Sequence, residues 1–188
     1  MIEGDSTEYE LLKKWSKDFD CQGYKSCEIG VRQGLGSMVI MNSVKNNYIH
    51  VGIDPYSNLK YQHYDVTKPE SFDYTDQMRD TLLNDLYKYR NEGLFTLANM
   101  TDTEFMSNPD NMNSKYSFVH FDGPHMTKDV LTEAIWFANR CAPHTRFVFD
   151  DYPYFDMPLV ANCLAYFNFR IVGQGASKIC LSNDHKKL

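Results

Sequence analysis

The sequence predicts an α/β domain: a mostly parallel sheet with helices on both faces, closing on an antiparallel hairpin. Three observations carry this. Segments of strand and helix character alternate from Ser26 onward. Successive strand candidates end on carboxylates, at Asp54, Asp122, Asp150 and Asp151, which puts all four on one rim, where open parallel sheets bind their ligands. The final two strand candidates flank Gly173-Gln174-Gly175, a hairpin-like ending.

Taken in order, Thr7-Glu8-Tyr9-Glu10 matches a capping box, and Leu11, Leu12, Trp15 and Phe19 share one helical face, predicting a helix over about 7–20. Ser26 to Ile29 reads as a short buried strand, Ser37 to Val44 as a helix and Tyr48 to Ile53 as the next strand. Tyr74, Met78, Leu82 and Leu86 recur at helical spacing, predicting a helix from Asp73 to Asn91 that Gly93 stops. Strands follow at Leu94 to Ala98 and Tyr116 to Phe121. Val130, Leu131, Ala134, Ile135 and Ala138 give a helix over Thr127 to Arg140, before a short strand at Arg146 to Phe149. Asp156 with Pro158 opens another helix, whose apolar face is Leu159, Val160, Cys163, Leu164 and Phe167. Phe169 to Val172 and Lys178 to Leu181 are the closing strands. Tyr56 to Phe72 is polar, tyrosine-rich and without period; it reads as a substrate-side lid, a dimer contact or an irregular surface loop.

The most informative stretch is Glu28-Ile29-Gly30-Val31-Arg32-Gln33-Gly34-Leu35-Gly36-Ser37. Glycines between a strand and a helix let backbone N–H groups crowd a ligand. Asp54, at the tip of the following strand, stands about where such sheets place the carboxylate that takes ribose hydroxyls. The pattern therefore points to a nucleoside-bearing cofactor. The spacing of Gly30, Gly34 and Gly36 departs from the G-x-G-x-x-G of pyrophosphate binders.

From Glu28 through Gly30, Gly34 and Gly36 to Ser37, the loop resembles the signature of class I S-adenosylmethionine-dependent methyltransferases. Phe121-Asp122-Gly123-Pro124-His125 and Phe147-Val148-Phe149-Asp150-Asp151-Tyr152 resemble the turns after strands four and five in the branch that includes macrolide sugar and catechol-type O-methyltransferases. The likeness runs from Glu28 to the terminal Lys178-Ile179-Cys180-Leu181 strand. It implies a Rossmann-like, seven-stranded sheet in one domain, with a core over about 21–182, and O-methylation of a small hydroxylated metabolite or sugar.

By that resemblance Gly30, Gly34, Gly36 and Ser37 line the methionine tail, Glu28 orients it, and Asp54 with Pro55 serves the ribose. Thr101 and Asp102 fall at the adenine contact, although the pair reads equally well as the N-cap of a helix at Thr103 to Met106. Asp122 belongs to the cofactor side and the catalytic side together. Asp122, Asp150 and Asp151 offer hard oxygen ligands for Mg2+ or Mn2+; they also read as strand-end caps. Asp122, Asp151 and His125 are the expected catalytic residues, His125 as a general base or as the residue that orients the Asp122 turn. His50 and His120 read as strand side chains, and His63, His144 and His185 as surface residues. Pro124 stands where many relatives carry a second acidic residue, and Pro143-His144-Thr145 replaces a usual Gly-Gly.

Composition narrows the partners. With 188 residues, 43% hydrophobic and 23% charged, the chain is an ordinary globular domain. A net charge of -6, with scattered Lys and Arg, argues against a nucleic-acid surface. Five cysteines without a C-x-x-C pair favour a reducing compartment. Met1 to Asp5 is polar and no apolar run reaches a membrane span, so the expected location is cytoplasmic, with a small-molecule acceptor, no membrane or nucleic acid, and room for a homo-oligomer.

Two other classes fit parts of the pattern. A short-chain dehydrogenase has a similar loop, but the Tyr-x-x-x-Lys spacings here, Tyr9 to Lys13 and Tyr56 to Lys60, precede the loop or follow strand two. A cofactor-binding module without catalysis would keep Gly30, Gly34, Gly36 and Asp54. Turnover of cofactor with candidate acceptors separates it from an enzyme.

Overall fold

In the computed structural model, described for residues 4, 6–17, 19–57, 59–71 and 74–184, helix α1 (Tyr9–Ser16) precedes strand β1 (Lys25–Ile29). Helix α2 (Leu35–Ser43) and strand β2 (His50–Ile53) come next, then a two-stranded ribbon of β3 (Lys60–Tyr61) and β4 (Glu70–Ser71). Helices α3 (Asp76–Asp85) and α4 (Tyr87–Asn91) lead to β5 (Phe95–Ala98) and α5 (Asp102–Ser107). Strand β6 (Tyr116–Phe121), helix α6 (Thr127–Ala138), strand β7 (Cys141–Phe149), helix α7 (Met157–Ala165) and the strands β8 (Arg170–Gln174) and β9 (Ile179–Ser182) complete the chain.

The main sheet has seven strands in the order β5-β2-β1-β6-β7-β9-β8. Strands β5, β2, β1, β6 and β7 run parallel, while β9 is antiparallel to both β7 and β8. The chain winds one way from β1 to β5 and the other way from β6, so the crevice between the carboxyl ends of β1 and β6 is the topological switch point. Register aligns the rim. Ile29 pairs with Ile53 and with Phe121, and Phe121 with Phe149, so the residues that follow, Gly30, Asp54, Asp122 and Asp150, emerge side by side.

Alternation along the strands sends side chains to two packed layers. Val119, Phe121, Phe147 and Phe149 meet Phe105, Val130, Phe137 and Val160 on one face; Phe118 and Val148 meet Leu12, Trp15, Phe19 and Ile40 on the other. A third cluster of Val31, Tyr56, Leu82, Leu86 and Phe95 closes the β5 side. Phe147 is fully buried, its ring stacked on Phe169 at 4.4 Å and edge-on to Phe121 at 5.3 Å. Phe147→Ala is therefore expected to cost about 3–5 kcal/mol, read as a lower urea midpoint at unchanged slope.

Several expectations shift. The capping box at Thr7 to Glu10 does not form: Glu8 is the N-cap residue at φ 57 with no side-chain cap. Its carboxylate instead accepts the backbone N–H groups of Ala176, Ser177 and Lys178 at 2.8–2.9 Å, which holds its pKa near 2 against the effect of burial. The β8–β9 turn recruits that side chain because its donors are otherwise exposed. The helix expected over 73–91 breaks at Leu86 into α3 and α4, and α3 begins after Thr75, whose Oγ1 accepts Met78 N at 3.1 Å; Asp73 lies outside the described residues, as does His185. Strand β7 starts at Cys141, five residues before Arg146, because a register shift against β6 absorbs the Pro143 segment. The hairpin turn moves past Gln174, which is still paired to Ile179.

Candidate active site

A cavity of about 330 Å3 opens on the rim at the switch point. The glycine loop forms one wall. Gly30 lies at φ +79, and a Cβ there would sit 1.9 Å from the Asp122 carbonyl oxygen, so the β1 and β6 ends approach as only glycine allows. Gly34 is the N-cap residue of α2, and at Gly36 a Cβ would meet Glu28 Oε1 at 1.9 Å. The loop thus closes directly over a buried carboxylate.

Glu28 anchors a chain of buried polar groups beneath that wall. Its Oε2 accepts Ser37 Oγ–H at 2.5 Å and its Oε1 lies 2.8 Å from His120 Nδ1. Ser37 Oγ in turn lies 3.0 Å from His50 Nε2, and His50 Nδ1 is 2.8 Å from Ser26 Oγ. Since Ser37 donates to Glu28, it accepts from His50 Nε2–H, leaving Nδ1 to accept from Ser26. His50 is thereby neutral, and burial lowers its pKa to about 4 despite Glu28 nearby. At the other end Lys178 Nζ lies 3.5 Å from His120 Nε2, 2.6 Å from Asp150 Oδ2 and 2.6 Å from Ser6 Oγ.

Strand register explains the chain. Ser26 pairs with His50 and Glu28 with His120 across neighbouring strands, so these polar side chains share one face. His50 and His120 are indeed strand residues, and both are fully buried within this network. Sequence reading missed the network because each residue looks unremarkable until the strands are paired.

Asp54 is 1% exposed and lines the cavity. Its Oδ2 accepts Val31 N at 3.0 Å and Arg32 N at 2.9 Å, and its Oδ1 accepts Tyr56 N at 3.1 Å. Burial raises its pKa to about 6 even though those three N–H groups pull it down. Pro55, Thr101 and Asp102 also line the cavity. Thr101 is the N-cap of α5, in a full capping box with Glu104, and it also lines the cavity.

A second wall of the cavity is lined by Asp122, His125, Asp150 and Asp151. The structure brings Asp122, Asp150 and Asp151 to this wall but engages them differently. Asp150 is committed to Lys178, to the Ser6 hydroxyl and, through Oδ1, to Asp151 N at 2.9 Å. Burial would raise its carboxyl, yet the Lys178 ammonium and His120 hold it near 2. Asp122 goes the other way, raised well above its usual range by burial and by Asp150 alongside. Among the described residues, the groups whose donor atoms lie within 4.8 Å of one another are His63, His125 and Asp151, and Glu28, His120 and Asp122; the all-aspartate set is not one of them.

The segment from Tyr56 is strapped over this wall. His125 N donates to His63 O at 2.8 Å, Tyr64 Oη–H donates to Asp151 Oδ2 at 2.7 Å, and Asp65 accepts Thr127 N at 3.1 Å, supplying the cap that α6 lacks. His63, expected at the surface, is half-buried and packs edge-on against the His125 ring at 4.9 Å. Burial and then His63 lower the His125 pKa to about 3. Tyr152 turns away, its hydroxyl donating to Gly175 O at 3.0 Å.

Comparison with known proteins agrees with this geometry. Residues 27–152 match a protein family described as "Methyltransferase domain". No curated protein matches the chain. Among solved structures, an O-methyltransferase from Bacillus cereus in complex with SAH shares 11% identity at a TM-score of 0.59, covering 96% of this chain and 82% of its own. The O-methyltransferase TomG from Streptomyces achromogenes, involved in tomaymycin synthesis and in complex with SAM, shares 12% at a TM-score of 0.61, covering 96% and 81%. A protein from Corynebacterium glutamicum shares 14% at 0.62, covering 97% and 84%. Among the described residues no helix is long and apolar enough to cross a membrane. With the family match spanning most of the chain and the glycine wall, switch point and terminal antiparallel hairpin all in place, the chain belongs to the class I S-adenosylmethionine-dependent methyltransferases.

Proposed function

We propose that the chain methylates a hydroxyl oxygen of a small molecule, a sugar or another hydroxylated metabolite. The observation that carries this is one cavity lined by two chemically distinct groups: the glycine loop with Asp54, and Asp122, His125 and Asp151. Bound S-adenosylmethionine supplies a methyl group on a sulfonium. Backbone at Gly30, Gly34 and Gly36 admits its methionine portion, while Glu28 and Ser37 hold that wall from below. Asp54 and Pro55 face the ribose, and Thr101 and Asp102 the adenine.

The acceptor hydroxyl enters on the other wall. Asp122, His125 and Asp151 hold it there, and Tyr61, His63 and Tyr64 of the strap cover it and keep water out. His125 is neutral and weakly basic in this setting, which suits orienting the hydroxyl better than taking its proton. The O-methyltransferase neighbours support an oxygen acceptor by analogy of fold.

Calorimetry with S-adenosylmethionine, followed by a product assay over a panel of hydroxylated acceptors, tests this reading. Binding and product are expected. Binding without product from any acceptor would favour a cofactor-binding module, and tight nicotinamide-nucleotide binding with no response to S-adenosylmethionine would overturn the assignment. Tyr64→Ala is expected to raise the acceptor KM about 10- to 100-fold while cofactor affinity stays within about 2-fold, since one lost hydrogen bond to a carboxylate is worth about 1.5–3 kcal/mol. An unchanged acceptor KM would place the acceptor elsewhere.

Asp54 predicts a pH dependence. Its carboxylate must be ionised to accept ribose hydroxyls, and its pKa is raised to about 6. Cofactor affinity is therefore expected to be full above that value and to fall as the pH drops through it. Asp54→Asn should weaken binding about 10- to 100-fold at neutral pH and flatten that profile. A wild-type profile that stays flat from about one pH unit below to about one unit above the raised pKa would remove Asp54 from the ribose contact.

A further inference from the structure

We propose that His63, His125 and Asp151 form a divalent-metal site of mixed nitrogen and oxygen donors, selective for a borderline ion such as Zn2+, Fe2+ or Co2+ over Mg2+. The proposal deepens the acceptor wall of the proposed function and rests on that reading for its purpose, but not for its test.

The geometry is that of donors arranged around a gap. His125 Nε2 stands 3.9 Å from Asp151 Oδ2 and 3.8 Å from Asp122 Oδ1. Both separations are too long for hydrogen bonds, and both lie within about 0.5 Å of the ~3.4 Å between donors held about 2.1 Å from one tetrahedral ion, so a small side-chain shift closes the set. One donor atom from each of His63, His125 and Asp151 lies within 4.8 Å of the others. The set is mutually braced. His125 N–H donates to the His63 carbonyl at 2.8 Å, tying the strap to the β6 turn. The His125 ring lies nearly parallel to those of Tyr64, at 5.8 Å, and Phe155, at 6.1 Å. Tyr64 Oη–H on Asp151 Oδ2 is the outer-shell hydrogen bond that ligating carboxylates usually carry. Asp151 is held in the left-handed region at φ 48, a conformation that costs energy and collects at functional sites.

Donor chemistry decides the ion. Mg2+ prefers all-oxygen sites, whereas imidazoles suit Zn2+, Fe2+ and their neighbours. The oxygen site expected from Asp122, Asp150 and Asp151 loses Asp150 to Lys178, and the imidazoles of His63 and His125 take its place beside Asp151. Three protein ligands leave positions open for water or an acceptor oxygen. A hydroxyl bound there would become more acidic.

The test uses the full chain freed of metal by chelator, titrated with Co2+, Zn2+ and Mg2+ in separate calorimetric experiments, with the visible absorption of Co2+ as a second readout. One Co2+ or Zn2+ per chain is expected, bound at least 100-fold more tightly than Mg2+. His63→Ala should weaken Co2+ binding by more than the ~10- to 100-fold typical of an outer-shell change and alter the visible band. Histidine-ring NMR of the wild type on Zn2+ addition reads the same contact without a variant: the His63 and His125 rings should shift together. No Zn2+ or Co2+ binding, Mg2+ affinity equal to that of Zn2+, or Co2+ binding unaltered in His63→Ala would each overturn the site. Cofactor calorimetry on the metal-free chain is scored separately. Cofactor binding without metal binding sinks the metal site alone, and metal binding without cofactor binding sinks the methyltransferase reading alone.

Discussion

Lys178→Met is expected to lower the unfolding free energy by about 3–5 kcal/mol at neutral pH, the usual cost of leaving a buried charge without its partner. Lys178 is fully buried, and its ammonium bonds to Asp150, to the Ser6 hydroxyl and to His120. Methionine matches the volume of the stem and supplies no charge, so the loss reads the ion pair rather than a cavity. The damage should extend to the site. Asp150 without Lys178 would compete with Asp122, whose carboxyl is already raised by that neighbour. Urea unfolding of wild type and variant measures the cost. A difference below about 1 kcal/mol would mean that water replaces the ammonium at Asp150 and that the pair contributes as little as a surface bridge.

Lys178 also shows where sequence reading stops. As one lysine at the start of a predicted strand, it carries no local signal; its partner stands 28 positions earlier at the end of β7, and β9 brings the two together only by running antiparallel to that strand. The same holds for His50 and His120, whose roles appear once Ser26 faces His50 and Glu28 faces His120. By contrast the glycine loop, Asp54 and the strand-end aspartates are legible because one short segment encodes each, and a parallel sheet places such segments on a common rim. The tyrosine-rich stretch after Asp54 has no period to read. Its contacts are to the Asp122–His125 turn and to Asp151, distant in sequence, so composition can suggest a lid but cannot find His63. Glu8 misleads for the opposite reason. A local capping pattern is present, and the exposed N–H groups of the β8–β9 turn outcompete it.

Gly30→Ala is expected to abolish detectable cofactor binding, a loss beyond about 100-fold, and to destabilise the fold by more than the ~1–2 kcal/mol that a left-handed alanine costs. Two effects act at Gly30, and a control separates them. Gly93 has φ +71 with nothing within 4 Å of the position a Cβ would take, so Gly93→Ala reads the backbone strain alone. At Gly30, with φ +79, the same methyl would also lie 1.9 Å from the Asp122 carbonyl oxygen and 2.9 Å from Gly123 N. Those are backbone atoms of the neighbouring β6 turn, not a side chain that can swing aside. Relief requires parting the ends of β1 and β6, which are the two sides of the switch-point crevice and carry the glycine wall and Asp122. Gly93→Ala should therefore unfold about 1–2 kcal/mol more easily with cofactor affinity intact, while Gly30→Ala loses both stability and ligand. Equal stability losses in the two variants, with cofactor still bound by Gly30→Ala, would show that the β1 and β6 ends can separate freely and that the close approach at Gly30 does not shape the cofactor wall.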